Sequence, residues 1–314
     1  MAKTVSEITL GIDVARDELV ICDWDSEQLT RLANQPDQIK AWLGTLNGPV
    51  RIGVESTSNY HLELVAQAHV QGVTVYLINP RQLAHYRQAV NLRHKTDPAD
   101  AWLLARYLAH EGAALRPFRP HGVKAQRLWA LIKRRGVVVK TRQTLQQSFA
   151  DVQLPAKALF GEMNTVLARI DRLILALIRE LGWWADYQRC LSIPGLGPLN
   201  AAALTAVYHR AAFAGSDAFI AFIGLDVRIR ESGRFTGQRK LTKRGEAEIR
   251  RLLYCATQPA RSYHLFDAYY HKQLDKGLSK IAAKVILARK LARIAFALMA
   301  RQTTFVKQEI ALTT

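Results

Sequence analysis

The sequence predicts an α/β domain with a mixed sheet at the N-terminus, then a basic helical (coiled-coil) arm, then an all-helical C-terminal domain. Three observations lead to this fold class. Short β-rich runs alternate with helical patterns over the first hundred residues, strand patterns stop near Pro117 and Pro120, and 314 residues leave room for about two globular domains. We expect domain boundaries at 1–115, 116–185 and 186–314.

The first two strands follow from runs rich in β-branched residues. Residues 8–14 and 19–24 form such runs on either side of the polar segment 15–17, which predicts a β-hairpin. Strands in a hairpin that are followed by β-α-β alternation favour a mixed sheet with flanking helices.

The β-α-β alternation occupies the next part of the chain. Residues 50–55 predict a strand, 60–70 a helix, and 73–78 a strand that stops at an Asn-Pro pair. A further helix is expected over 98–110, with Asp97 as its N-cap residue.

The middle of the chain predicts a helical hairpin, with arms near 121–150 and 162–182. In the second arm, apolar residues step by three and four, as in a coiled-coil seam: Met163, Val166, Ile170, Leu173 and Leu177. An intramolecular helix pair and a dimerisation arm both fit this pattern. Later helices are predicted over 200–208, 246–257 and 279–300.

Composition and charge indicate the class of partner. Apolar residues make up 49% of the chain and charged residues 22%, which excludes collagen-like and wholly disordered classes. The 44 Lys and Arg residues outnumber the 26 Asp and Glu residues and leave a net charge of +18. Residues 112–150 hold nine basic residues and no carboxylate, so the excess is concentrated. This distribution favours nucleic acid over anionic lipid as the partner.

Targeting and redox patterns add a second set of expectations. The N-terminus lacks a secretory apolar core, and basic residues interrupt every long apolar stretch, so we expect a cytoplasmic chain without a membrane span. Cys22, Cys190 and Cys255 lie far apart and form no metal-binding spacing; we expect them to be buried thiols.

Four carboxylates form the candidate catalytic constellation. Asp13 and Glu55 follow two predicted strands, and Asp97 and Asp100 lie three residues apart at a helix start, so they share one helix face. Such a cluster suits phosphodiester chemistry with two Mg²⁺ ions, because oxygen ligands suit this hard cation. The alternative is structural: Asp97 caps the helix and Asp100 completes a capping box.

Several motifs spread over nearly the whole chain carry a family resemblance. They are Gly-Ile-Asp at 11–13, Val-Glu-Ser at 54–56, Lys-Thr-Asp-Pro-Ala-Asp-Ala at 95–101, Ile-Pro-Gly-Leu-Gly at 193–197, Glu-Ser-Gly at 231–233 and Leu-Thr-Lys-Arg-Gly at 241–245. Together they resemble the DEDD transposases of bacterial insertion-sequence family one-ten, to which pilin-gene invertases are similar. Ser58 departs from the pattern, since the family commonly has Gly there.

The resemblance implies a fold, a mechanism and partners. It implies a RuvC-like (RNase H fold) N-terminal domain in which Asp13, Glu55, Asp97 and Asp100 hold Mg²⁺, and a C-terminal transposase domain in which Ser232 is the nucleophile. It further implies a phosphoserine intermediate, double-stranded DNA as donor and target, a structured non-coding guide RNA, and a homo-oligomer, dimeric or tetrameric. Serine needs activation by a base or a metal, and no histidine lies at a short spacing from Ser232.

Two other classes of function remain open on the sequence. One is a hydrolytic RuvC-like endonuclease that cuts branched DNA with a metal-activated water and has no use for Ser232. The other is a nucleic-acid-binding protein whose carboxylates are helix caps and solvated strand ends.

Basic residues near the motifs are the candidate contacts to nucleic acid. They are Arg81, Arg87, Arg93, Lys95, Arg127, Lys133, Arg134, Arg135, Arg228, Arg230, Arg234, Lys243 and Arg244. Tyr86 and Trp129 are interleaved with basic residues and could stack on bases, but their setting is more typical of packing residues.

Overall fold

The computed structural model describes residues 7–56, 59–120, 122–152, 155–228, 231–232, 235–236 and 240–306. The chain divides into two compact units, Met1–Pro120 and His121–Thr314. Each unit has its own hydrophobic core. None of the helices in the described segments is both long enough and apolar enough to cross a membrane.

The first unit contains a five-stranded mixed sheet with the order β3-β2-β1-β4-β5. Its strands are β1 (Ile8–Val14), β2 (Glu18–Asp23), β3 (Leu29–Ala33), β4 (Val50–Glu55) and β5 (Thr74–Ile78). β1, β2 and β3 pair antiparallel, whereas β1, β4 and β5 run parallel. The predicted hairpin and mixed sheet are therefore confirmed, and β3 is an additional strand that the sequence pattern did not predict.

Helices cover both faces of this sheet. They are α1 (Pro36–Leu43), α2 (Leu62–Val70), α3 (Pro80–Ala89) and α4 (Asp97–Glu111), followed by a 3₁₀ turn at Gly112–Ala114. One face packs on α1 and α2 through a core that includes Leu10, Ile12 and Val54. The opposite face packs on α4, where Val20 and Cys22 contact Ala101 and Ala105. α1 and α3 were not predicted, although a proline at the start of each suits a first helical turn.

Two glycines allow α4 to lie directly on the sheet. Gly11 of β1 and Gly53 of β4 are register partners. A Cβ at Gly11 would come within 3 Å of the backbone of Ala101 and Ala105, and a Cβ at Gly53 would crowd the carbonyl oxygen of Leu104. Because these positions carry no side chain, the helix backbone contacts the strands, and α4 is fixed over the β1–β4 pair.

The start of α4 corrects one prediction. Thr96, not Asp97, is the N-cap residue: its backbone is extended (φ −138°, ψ 155°) and its hydroxyl accepts a hydrogen bond from the Ala99 N–H at 3.4 Å. Asp97 is the first helical residue, so the proposed pairing of an Asp97 cap with Asp100 in a capping box is wrong. Threonine takes the cap because its hydroxyl already reaches the free N–H groups of the first turn.

The second unit is built from helices. They are α5 (Val123–Ser148), α6 (Lys157–Glu180), α7 (Trp184–Leu191), α8 (Pro198–Tyr208), α9 (Ser216–Phe222), α10 (Ala247–Ala260), α11 (His264–Asp275) and α12 (Lys280–Arg301). α5 and α6 pack against each other as the two helices of the predicted hairpin, and both contact α8. The core includes Leu128 and Ile132 of α5, Ile174 and Ile178 of α6, and the alanine-rich face of α8.

Four two-residue strands interrupt this helical unit. They are β6 (Val227–Arg228), β7 (Glu231–Ser232), β8 (Phe235–Thr236) and β9 (Lys240–Leu241). β6 pairs with β9 and β7 pairs with β8, each antiparallel. The runs are too short to give a period-two pattern, so the sequence predicted only helices and loops here.

The cysteines are free, but one prediction about them is wrong. Cys22 and Cys190 are buried, whereas Cys255 is exposed on α10. Burial raises the pKa of the Cys22 thiol to about 11 and that of Cys190 to about 12. Both buried thiols therefore stay protonated and act as small apolar side chains.

Candidate active site

Two of the candidate carboxylates stand side by side at the carboxyl end of the parallel strands. Ile12 pairs with Val54, so the next residues along each strand, Asp13 and Glu55, occupy adjacent positions on neighbouring strands, which lie about 4.8 Å apart. Side chains alternate along a strand, so Asp13 lies on the same face as Gly11, the face that α4 covers.

The other two carboxylates come from the first turn and a half of α4. Asp97 is exposed at the first helical position, and Asp100 is half-buried one turn later. The close packing of α4 on Gly11 brings this helix start toward the strand ends. All three of the other carboxylates raise the pKa of Asp13 by charge repulsion, which places each of them within electrostatic reach of Asp13.

Asp13 is the most strongly perturbed member. Burial, followed by the charges of Asp100, Asp97 and Glu55, raises its pKa from 3.8 to about 6, although a hydrogen bond from the Val14 backbone acts in the opposite direction. Raised carboxyl pKa values are typical of sites that hold several acids close together. The cluster therefore carries repulsion that a cation relieves.

A cation of the protein itself holds one of the four carboxylates. Arg87 of α3 forms an ion pair with Asp100 through Nη2 and donates to the carbonyl oxygen of His94 through Nη1 at 2.7 Å. Both side chains are mostly buried, with exposed fractions of 18% for Arg87 and 15% for Asp100. The sequence predicted that Arg87 contacts nucleic acid. The spacing of residues 87 and 100 gives no sign that their side chains form an ion pair.

The carboxylates suit a divalent metal in donor chemistry and in charge. Carboxylates that repel one another, as those around Asp13 do, offer the oxygen donors that hard cations such as Mg²⁺ favour. No group of three or more ligating side chains is gathered closely enough to hold a metal among the residues that the structure describes. This part of the chain therefore shows no preformed metal pocket, and Arg87 occupies one oxygen of Asp100, Oδ1.

The candidate nucleophile lies on a small β-ribbon in the second unit. Ser232 is the last residue of β7, and its backbone pairs with Phe235 of β8. Both strands lie in sequence between β6 and β9, which pair through Val227 with Leu241 and Arg228 with Lys240. The structure describes the backbone of Ser232 and not its side chain, so the direction of the hydroxyl lies outside the described part.

Two glycines allow the segments that flank β6 and β9 to pack closely together. Gly224 (φ +70°) and Gly245 (φ +130°) each lie so close to the opposite backbone that a Cβ would overlap with it: Arg244 in the first case and Phe222 in the second. The Arg250 side chain then joins the two segments, donating to the carbonyl oxygens of Gly245 at 2.8 Å and Ile223 at 3.2 Å.

Two further hydrogen bonds join the same two segments, next to β6 and β9. The Thr242 hydroxyl donates to the Asp226 carboxylate, and the Thr242 N–H donates to the Asp226 carbonyl oxygen at 3.0 Å. Sequence reasoning gave no role to Thr242, Asp226 or Arg250. Their roles depend on contacts between segments 16 to 27 residues apart, which local patterns do not show.

The candidate nucleic-acid contacts fall into three groups. The exposed members are Arg81, Arg93, Lys95, Arg127, Lys133, Arg134, Arg228, Lys243 and Arg244. The half-buried members already have acidic partners: Arg87 pairs with Asp100, and Arg135 donates to both oxygens of Asp171 at 2.5 and 3.0 Å. Arg230 and Arg234 lie outside the described residues.

The two candidate stacking residues are packing residues in this structure. Trp129 is 7% exposed, its ring nitrogen faces Glu246 Oε1 at 3.3 Å, and Arg210 lies over its ring at 5.3 Å. Tyr86 makes an edge-to-face contact with Tyr107 at 4.9 Å. The packing interpretation of both residues is confirmed.

Comparisons with known proteins match two regions of the chain to transposase families. Residues 10–152 match the IS110 DEDD transposase family, described as "Transposase", and residues 187–271 match "Transposase IS116/IS110/IS902 family". The DEDD match implies an RNase H-like fold for the unit with the mixed sheet, and it indicates a requirement for a divalent metal.

Full-length relatives extend this likeness over nearly the whole chain. The pilin gene-inverting protein of Moraxella bovis is 24% identical over 323 residues, which cover 97% of this chain and 99% of that protein. The transposase for insertion sequence element IS1111A of Coxiella burnetii is 27% identical over 346 residues, which cover 94% of this chain and 90% of that protein. A probable family 20 transposase of Pseudomonas aeruginosa is 33% identical over 158 residues, covering 48% and 46%. Both matched regions and the relatives lead to one conclusion: the chain belongs to the IS110 family of transposases and recombinases, which act on DNA.

Proposed function

We propose that this transposase cuts and rejoins DNA through a Mg²⁺-dependent phosphoserine intermediate. In this mechanism Asp13, Glu55, Asp97 and Asp100 hold the metal, and Ser232 is the nucleophile. The observation that supports it most directly is the electrostatic coupling of the four carboxylates, which raises the pKa of Asp13 to about 6. Helix caps and solvated strand ends, the non-catalytic alternative, do not require four acids at one edge of a sheet.

The sheet and α4 set the backbone positions of the four residues that offer these oxygen donors. Asp13 and Glu55 are held by the strand register, and Asp97 and Asp100 by the packing of α4 on Gly11. When bound, Mg²⁺ neutralises charge on the scissile phosphate and stabilises the leaving oxygen. In the absence of the metal, Arg87 forms an ion pair with Asp100 and holds this carboxylate near the site.

Ser232 carries the covalent step. Its Oγ forms a bond to phosphorus while the bond from phosphorus to the 3′ oxygen breaks, and the hydroxyl proton is transferred, through solvent, to that oxygen, which leaves as a 3′-hydroxyl. In the second step a 3′-hydroxyl of the exchanged strand attacks the phosphoserine, and Ser232 regains its proton. The bond energy of the phosphodiester is conserved, so rejoining needs no ATP. Arg250 and Thr242 hold together the segments that flank β6 and β9, the two strands between which Ser232 lies in sequence.

A covalent-adduct assay tests this mechanism. Protein, Mg²⁺ and end-labelled DNA carrying the element's ends are incubated and then denatured, and label that remains on the protein is measured. We expect adduct with the wild-type chain, none in EDTA, and none with Ser232→Ala. Ser262→Ala is the matched control, because Ser262 is an exposed serine whose hydroxyl donates only to the carbonyl oxygen of Pro259 in its own helix turn. Cleavage by Ser232→Ala without adduct contradicts the proposal and favours the hydrolytic endonuclease.

Nucleic-acid partners are the second part of the proposal. We propose that the exposed basic residues contact donor and target DNA and a structured guide RNA. If six backbone phosphates of duplex DNA are contacted, the logarithm of the affinity should fall with that of salt concentration with a slope of roughly −5. Electrophoretic titration at several salt concentrations, with DNA alone and with RNA from the element's non-coding end, measures the affinity for each nucleic acid and its dependence on salt.

Self-association is the third part. α6 carries an apolar stripe that α5 does not cover: Leu159, Val166 and Leu173 follow one another at intervals of seven residues and are 45%, 45% and 38% exposed. A heptad repeat of this kind is typical of helices that pair with another helix. We propose that this stripe joins copies of the chain in a dimer or tetramer. Replacing the three residues with glutamine should lower the mass measured by light scattering, whereas the helix content by circular dichroism should stay unchanged.

A further inference from the structure

A groove on the second unit is lined by none of the candidate site residues. It follows α12 and has a volume of about 470 Å³. Tyr269 of α11 and Ser216 of α9 form its sides. The residues of α12 that line it are Ile286, Arg289, Lys290, Arg293, Ile294 and Ala297. They recur at intervals of three and four and therefore form one continuous stripe along the helix.

The groove is positively charged. α12 contains six basic residues and no acidic one over its 22 residues, and the lining has three cations and no carboxylate. Arg293 pairs with Asp217, an exposed acidic residue. Arg289 and Lys290 form no ion pair with an acidic side chain in the described part of the chain. Two cations are thus available to an anionic ligand, and a third is available in exchange with Asp217.

Two of these cations are held in place along the groove. Lys290 Nζ lies over the ring of Tyr269 at 4.8 Å, and Arg293 donates to the Ser216 hydroxyl at 3.2 Å. Within the described residues, the buried Nε of Arg289 has no hydrogen-bond acceptor. A buried guanidinium nitrogen without an acceptor is costly, so Arg289 retains unused hydrogen-bonding capacity.

The shape and lining decide which form of nucleic acid fits. The apolar part of the lining, the floor, consists of Ile286, Ile294 and Ala297, and the other α12 residues of the lining are the three cations. A volume of a few hundred cubic ångströms holds one or two nucleotides, whereas a duplex would contact only the rim. An apolar and aromatic floor beside a basic rim is typical of sites that bind unpaired strands.

We propose that this groove binds the backbone of an unpaired nucleic-acid strand, with its phosphates on Arg289, Lys290 and Arg293 and its sugars and bases on the apolar floor. The site is separate from the chemistry of the carboxylates and Ser232. It depends on the proposed function only in that the partner is nucleic acid, and the strand is either part of an RNA or DNA opened during recombination.

A binding assay with matched variants tests the groove. Fluorescence anisotropy is measured in EDTA, so that cleavage does not contribute, with unpaired RNA, unpaired DNA and duplex DNA of equal length. The Arg289→Gln/Lys290→Gln double variant should bind unpaired strands about tenfold more weakly at physiological salt, and its log–log salt slope should be shallower by roughly 1.4, since about 0.7 is lost per single-strand phosphate contact. Lys290→Gln alone, at an exposed position, provides a second variant if the double variant melts early.

The control removes the same charge elsewhere on the same unit. Lys272→Gln/Lys276→Gln alters two exposed lysines at the end of α11, outside the groove lining, and should change affinity less than twofold. A selective loss with RNA, with DNA or with both supports the groove and identifies the strand. Equal losses in the control pair, or equal losses with duplex, overturn it. Adduct formation is measured separately, so a failure of the phosphoserine mechanism leaves this result unchanged.

Discussion

Replacing Asp13 with asparagine should stabilise the metal-free protein while it abolishes catalysis. In the folded chain the pKa of Asp13 is about 6, compared with 3.8 for the unperturbed carboxyl. One pKa unit corresponds to about 1.4 kcal/mol, so the ionised carboxylate destabilises the fold by at most about 3 kcal/mol at pH 8. Solvent screens part of this energy because the side chain is only half-buried, and about 1–2 kcal/mol is expected. Asparagine keeps the size of the side chain and removes the charge.

The sign of the pH dependence follows from the raised pKa. The folded state favours protonated Asp13, so the wild-type chain carries the full penalty above pH 6 and loses it as the pH falls toward 3.8. The difference in stability between Asp13→Asn and wild type should therefore be largest near pH 8 and disappear near pH 4. For a unit of about 120 residues, 1–2 kcal/mol raises the melting temperature by roughly 4–8 °C.

Scanning calorimetry in EDTA, and again with Mg²⁺, measures this effect. Mg²⁺ should raise the melting temperature of the wild type more than that of Asp13→Asn, because the metal relieves repulsion that the variant lacks. Asp25→Asn is the control, since Asp25 lies in an exposed turn and its replacement should change stability by less than about 0.5 kcal/mol. An Asp13→Asn chain that is no more stable than the wild type at pH 8 would refute the assignment of a strained carboxylate cluster.

Two further predictions concern the support of the cluster. Arg87→Gln should lower the stability of the metal-free chain by about 2 kcal/mol, because it leaves Asp100 without its cation, and Mg²⁺ should reduce the deficit; a deficit that calorimetry finds unchanged by Mg²⁺ contradicts this role. Gly11→Ala should cost about 3 kcal/mol or more in urea unfolding and reduce DNA cleavage, because its Cβ would displace α4. Gly161→Ala, in open space on α6, should instead stabilise by about 0.5–1 kcal/mol, and equal effects at the two glycines would exclude the packing explanation.

Much of the first unit is readable from its sequence. β1, β4 and β5 are runs of buried β-branched residues, and α4 begins at a Thr-Asp-Pro signal, so local patterns locate the elements that bear Asp13, Glu55 and Asp97. The alternation of side chains along strands then predicts that the strand-end carboxylates share one face. These are short-range rules, and they succeed where an element is set by its own residues.

The parts that the sequence did not show depend on long-range contacts. Arg87 looked like a nucleic-acid contact because its pairing with Asp100 arises only when α3 packs beside α4. β7 and β8 are two residues long, which is too short for any periodic signal. Cys255 lies on the exposed face of α10, although cysteine is most often buried. In each case the residue type and its sequence neighbours suggest one role, and tertiary packing gives the residue a different one.

The unfavourable charge of Asp13 persists because packing leaves this side chain no alternative position. The strand register places it beside Glu55, and the contact of Gly11 with α4 prevents the helix start from withdrawing. The free N–H groups at the start of α4 carry partial positive charge and offset some of the repulsion. In the proposed mechanism the remainder is recovered when a divalent cation binds these carboxylates. Under this proposal, metal binding and the stability of this unit are coupled. At pH 8 the metal-free chain should therefore be less stable than the same chain with Mg²⁺.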